Sequence, residues 1–166
     1  MLKIYSDGSA APNPGYGGAA AIALDGDKLV WIWTHYEEDT TNNRMEMKAA
    51  IAAIKYANEH GFALSVYCDS AYVVNLYNDW MLQWQRANWT RKNGKPIENL
   101  DLVKEMYNLH SSSSCTLKKI KGHSGEVGNE ICDALATKNP RRLEKLLLSE
   151  NISEENECLS MFYENL

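Results

Sequence analysis

The four cysteines, at positions 68, 115, 132 and 158, form no C-x-x-C pair, so the spacing of a zinc cluster is missing. No stretch approaches the ~20 apolar residues that a membrane-spanning helix needs. The first apolar run is interrupted by Lys3, Ser6 and Asp7, which is not the pattern of a secretory leader. These absences lead us to expect no membrane association and free thiols in a reducing, cytoplasmic setting. Positive charge is also scarce, with 17 Lys and Arg against 22 Asp and Glu and a formal net charge of −5. Binding of a polyanion by bulk charge is thereby excluded. Any nucleic-acid binding must come from a local basic patch, or from metal ions that offset acidic side chains. There are no internal repeats, and the serine run at 111–114 is the one low-complexity stretch.

The 166 residues are 45% hydrophobic and 23% charged, a balance that suits one folded domain with a real core. The pattern predicts a short first strand from Leu2 that ends at Asp7-Gly8, a turn-rich stretch SAAPNPGYGG, strands over 19–24 and 29–36, then a long helix from Arg44 to His60 with Gly61 just past its end. Asp25-Gly26-Asp27 marks a hairpin between the second and third strands. A fourth strand follows over 64–67, a helical run from Ser70, a helix over 99–109, a fifth strand over 115–120 and a last helix over 128–137. Three strands followed by helix–strand alternation indicate an α/β domain with a five-stranded mixed sheet and helices packed on it. Asn139-Pro140 is a helix-stopping pair and divides a domain, 1–139, from an acidic, helical extension, 140–166. Residues 1–139 hold 14 basic and 16 acidic residues, the extension 3 and 6.

Four acids stand where these elements would bring them together. Asp7 ends the first strand, Asp69 the fourth, Glu46 sits in the first turn of the long helix and Asp133 in the last helix. Parallel neighbouring strands would present Asp7 and Asp69 at one sheet edge, where ligands bind in such folds. Clustered carboxylates repel one another, and a hard divalent cation removes that cost. Two such ions ~3.5–4 Å apart can clamp the attacking and leaving oxygens of a phosphodiester. The alternative is that each acid is an ordinary strand-end or cap residue.

The surrounding motifs favour the first reading. YSDGSAAPNPGYGGAA (5–20), TTNNRMEMKAAIAAI (40–54), VYCDSAYVV (66–74) and KGHSGEVGNEICDALA (121–136) resemble, in order and spacing, type 1 ribonuclease H. WMLQWQRANWTRKNGKPIENLDL (80–102) resembles the basic handle of bacterial-type members. The resemblance covers residues 1 to 139 and implies a ribonuclease H-like fold with helices on both faces of the sheet. It implies an endonuclease that cuts the RNA strand of RNA–DNA hybrids, leaving 5′-phosphate and 3′-hydroxyl ends; nothing in the sequence demands more than a monomer. Asp7, Glu46, Asp69 and Asp133 are implied as ligands of two Mg2+ ions, with Mn2+ as a substitute. His123 is implied as the proton-transfer or product-release residue, and Gly122 and Gly125 on either side suit a loop.

For the substrate, the resemblance places Gly8, Ser9 and groups near Glu46 at 2′-hydroxyls, the feature that separates RNA from DNA. It places Asn42 and Asn43 against the hybrid, and Asn13 and Thr41 near a DNA phosphate. Sequence grounds alone make Asn42 a helix cap. In the handle, Arg86, Arg91, Lys92 and Lys95 form an acid-free basic stretch, which would give salt-dependent docking. Trp80 is expected at the DNA strand, and Trp84 and Trp89 in packing. Ala71, Gln85 and Ala87 depart from residues common in the family and predict weaker hybrid binding. Leu24 stands where a phosphate-pocket arginine would be sought.

The extension carries apolar residues at helical spacing, Leu143, Leu146 and Leu147, then Leu159, Phe162, Tyr163 and Leu166. Two docked helices, a segment that binds a protein partner, and an acidic self-masking tail are the three readings. The rival functions are a same-fold, transposase-like nuclease acting on DNA, and a catalytically silent hybrid-binding module.

Overall fold

The computed structural model describes residues 1–122 and 125–166. Its elements are β1 (Leu2–Ala10), β2 (Gly15–Asp25), β3 (Lys28–Thr40), α1 (Asn42–His60), β4 (Ser65–Cys68), α2 (Ala71–Asn75), α3 (Met81–Arg86), α4 (Leu100–Ser111), β5 (Thr116–Lys119), α5 (Val127–Ala136), α6 (Pro140–Ser149), β6 (Ser153–Glu154) and α7 (Ser160–Glu164). A π-helical turn, Leu76–Trp80, joins α2 to α3. Among the described residues the strands form one mixed sheet in the order β5-β4-β1-β2-β3-β6. β1, β2 and β3 are antiparallel neighbours, whereas β4 pairs in parallel with β1 and with β5. The α/β class and the mixed sheet agree with the sequence reading. The expected five strands gain a sixth, because Ser153–Glu154 pairs in parallel with Lys28 and Leu29 of β3.

Alternation along the strands sorts the core onto two faces. Ile4, Ala21 and Ala23 face α1 and the α2–α4 region, together with Val66, Ile54, Leu76 and Met106. Tyr5, Ala20, Ile22 and Leu24 face the other way, onto Ile131 and Leu135 of α5 and Leu143, Leu159 and Phe162 of the extension. The extension therefore packs on the sheet through buried side chains and through β6. α1 forms readily because its buried side is rich in alanine, the best helix former.

Two expectations need correction. β1 does not end at Asp7-Gly8 but continues to Ala10, because β2 keeps pairing with it as far as Ala10↔Gly17. The glycine-rich stretch read as a turn is thus partly strand. The N-cap of α1 is Thr41, not Asn42: the Thr41 side chain accepts the Arg44 N–H at 3.2 Å. No helix is long and apolar enough to cross a membrane among the described residues.

Candidate functional site

The parallel pairing of β1 with β4 stops at Tyr5↔Tyr67. Asp7 and Asp69 each lie two residues beyond that pair, so both emerge where the two strands diverge. α1 starts at the same sheet edge and brings Glu46 in its first turns. Close approach is possible because Gly8 has no side chain; a Cβ there would collide with the backbone of Met45 and Glu46. One carboxylate oxygen each from Asp7, Glu46 and Asp69 lies within 4.8 Å of the others. Asp7 is 6% exposed and Glu46 9%, while Asp69 is half-buried. These three line a cavity of 330 Å³ together with Gly8, Ser9, Asn42, Asn43, Ser70, Asn129 and Asp133.

The site is electrostatically costly as it stands. Burial first, then the charges of Asp69 and Asp133, push the Asp7 carboxyl up to about 7, although contacts with Glu46 and the Gly8 amide pull the other way. The Gly8 N–H donates to Asp7 Oδ1 at 2.9 Å. Burial and the neighbouring Asp7 charge raise Glu46 well above the ordinary carboxylate range. Glu46 Oε2 and Asn129 Oδ1 are buried without a hydrogen-bond partner among the described residues. Buried, unsatisfied acceptors of this kind are expensive unless a ligand completes them. Burial raises the adjacent Cys68 thiol to about 12 and Cys132 well above its usual value, and neither belongs to the group of three. The donor set is therefore oxygen only, which fits a hard divalent cation.

Asp133 lines the same cavity but lies outside the tight group of three. Its Oδ2 accepts from Arg142 Nη1, and Arg142 Nη2 pairs with Glu130. The sequence reading missed Arg142. The available signal was an arginine just after Asn139-Pro140, one short turn beyond a helix that carries Glu130 and Asp133 three residues apart. Asn129 was missed too, though it precedes Asp133 by one helical turn on the same face.

The remaining expected residues fall into two groups. Gly8, Ser9, Asn42 and Asn43 line the acidic cavity, and Asn13 and Thr41 join Asn42 and Asn43 along an adjoining hollow that includes Glu98 and Asn99. Asn42 stitches these loops together: its Oδ1 accepts the Ala10 N–H at 2.6 Å, and its N–H donates to Asn13 Oδ1 at 3.0 Å. Trp80 is half-buried, edge-on to Tyr72 at 5.8 Å. Trp84 and Trp89 pack against the main core, Trp89 edge-on to Tyr107. Arg86 is exposed at the end of α3. The Arg44 guanidinium pairs with Asp101 at 2.9 Å and so ties α1 to the start of α4 beyond the handle. His123 lies outside the described residues.

The RNase H family model matches residues 1–140. The chain is 39% identical over 143 residues to Ribonuclease H of Thermoanaerobacter sp. strain X514, covering 86% of this chain and 91% of that protein. Among solved structures it resembles LC9-RNase H1, a type 1 RNase H with the type 2 active-site motif. That match has a TM-score of 0.72 at 24% identity, covering 93% of this chain and 86% of the other. It also resembles LC11-RNase H1, solved in complex with RNA/DNA hybrid. There the TM-score is 0.61 at 19% identity, with 89% of this chain and 99% of the other covered.

Proposed function

The chain belongs to the ribonuclease H family of endoribonucleases, and on that premise we propose that it hydrolyses the RNA strand of RNA–DNA hybrids at the acidic cavity, leaving 5′-phosphate and 3′-hydroxyl ends. The observation that carries this reading is the convergence of Asp7, Glu46 and Asp69 within 4.8 Å, two of them buried. Such a group has no reason to persist as a structural device, since each carboxylate makes the others harder to ionise. Asp7, Glu46, Asp69 and Asp133 would hold two Mg2+ ions, with Mn2+ as a substitute. When bound, these ions supply Lewis acidity and neutralise charge developing on the phosphodiester.

The chain's own residues position the substrate. The Gly8 backbone and Ser9 face the cavity and suit 2′-hydroxyl contacts, which select RNA on the cut strand. Asn42 and Asn43 line both the cavity and its neighbouring hollow, and both would contact the hybrid, Asn43 nearer the base edges of its minor groove. Thr41 and Asn13 border that hollow at the N-terminus of α1, a setting that favours a DNA phosphate. Trp80, Arg86 and the exposed handle cations would take the DNA strand further out. His123 would transfer a proton, on the chemistry of its imidazole, or assist product release. Residues 1–139 act as the catalytic unit in this reading. The support for a hybrid substrate is the family itself and the LC11-RNase H1 complex.

The test is a panel of labelled hybrid, duplex RNA and duplex DNA, each with Mg2+ and with chelator. Cleavage of the hybrid's RNA strand alone, dependent on Mg2+, is expected. Cutting of duplex DNA would favour the transposase-like reading, and binding without cutting the silent module.

A further inference from the structure

The residue that occupies Asp133 comes from the extension, and several local features fix it there. α5 ends at Ala136, and Lys138 takes a left-handed backbone, φ 51°, that reverses the chain within three residues. The Asn139 N–H returns to the Ala134 carbonyl at 2.8 Å. Asn139 then caps α6, its Oδ1 accepting the Arg142 N–H at 3.1 Å, with Pro140 in the first turn. Leu143, the next residue, is fully buried in the second core. Arg142 is thus held on both sides of its own backbone, and its guanidinium spans Asp133 and Glu130.

We propose that Arg142 is a positioning residue that serves as a resident counter-cation for Asp133, held in place until a divalent ion claims that carboxylate. The proposal rests on the metal-site reading above and deepens it. Glu130 gives Arg142 a second anchor, so its hold on Asp133 can be surrendered while α6 stays docked. A cation already seated at a ligand must be displaced, and this lowers the affinity of an ion that uses Asp133. The extension then tunes the metal site through one guanidinium.

The experiment is Mn2+ binding followed by electron paramagnetic resonance, with no substrate present. Wild-type protein is compared with Arg142→Gln, Arg142→Lys, Asp133→Asn and the Asp133→Asn/Arg142→Gln pair. Arg142→Gln is expected to bind its weaker ion several-fold more tightly, with Arg142→Lys in between. Arg142→Gln should have no effect once Asp133 is Asn. Equal affinities for wild type and both Arg142 variants would overturn the proposal while leaving the metal site intact. A wild-type protein that binds no Mn2+ would overturn both. A measurement on the wild type keeps the test independent of how the variants fold. On titration with Mg2+, the Arg142 guanidinium signal in NMR should shift along with the Asp7 and Glu46 amides. A guanidinium signal that stays still while those amides move would count against the proposal.

Discussion

The two sides of the acidic cavity are built in opposite ways. On the β1/β4/α1 side, Asp7 and Glu46 are buried and crowd Asp69, and Glu46 Oε2 is left without a hydrogen-bond partner among the described residues. On the α5 side, Asp133 is less deeply buried, its side chain 25% exposed, and already paired with Arg142. Side chains of the same chemistry in one cavity thus start from different states. One side stores repulsion that an added cation relieves, and the other holds a cation that an added one must displace.

The contrast is broken most strongly by neutralising each side in turn. Asp7→Asn should lower hybrid cleavage by on the order of 10³-fold or more, the scale of losing several kcal/mol of charge stabilisation in the transition state. Asp133→Asn should cost less. In chelator, Asp7→Asn should also raise Tm, because a costly buried charge is gone, whereas Asp133→Asn should lower it slightly by removing one of the two carboxylates that hold Arg142. Cleavage assays and scanning calorimetry on the two variants check both halves, and equal losses with equal Tm shifts would erase the distinction.

A smaller effect comes from pH. The Asp7 carboxyl, raised to about 7, binds its proton more tightly folded than unfolded. Its contribution to stability is therefore full below the unfolded value of about 3.9 and is lost as pH rises through about 7. Glu46, raised in the same direction, adds to the trend. Mg2+ should thus raise Tm more at pH 8 than at pH 5.5, where the pair already carries a proton. Equal Mg2+ shifts at the two pH values would show that the buried side is not under electrostatic stress.

The smallest expected effect lies outside the cavity. Adding charge to the handle with Gln85→Lys and Ala87→Lys should lower KM for the hybrid, steepen its salt dependence and leave kcat nearly unchanged. A change confined to kcat would mean that the handle acts on the cavity rather than on docking.

Sequence patterning made most of this legible where local rules dominate. Glu46 could be placed because α1 has a clear periodicity, and Asp69 because a short apolar strand stops beside it. The extent of β1 could not be read, since Gly8 and Ser9 look like a turn until β2 pairs with them. Asn42 looks like a cap, yet Thr41 takes that role and Asn42 is spent on Ala10 and Asn13, 32 and 29 residues away. Arg142 follows the same logic: its partners are set by a three-residue reversal between helices, which no periodicity announces. The tryptophans of the handle come together only in three dimensions: Trp80, Trp84 and Trp89 all pack against the main core, and Trp80 lies against both Tyr72 and Trp84.

The two-residue strand β6 has a consequence for handling the protein. It covers β3 at Lys28 and Leu29, where the Glu155 N–H also reaches the Leu29 carbonyl at 2.8 Å. A truncation before residue 153 would strip that cover and offer the bared rim as a template for strands of other molecules. Shortened versions should therefore show their defect first as self-association at high concentration.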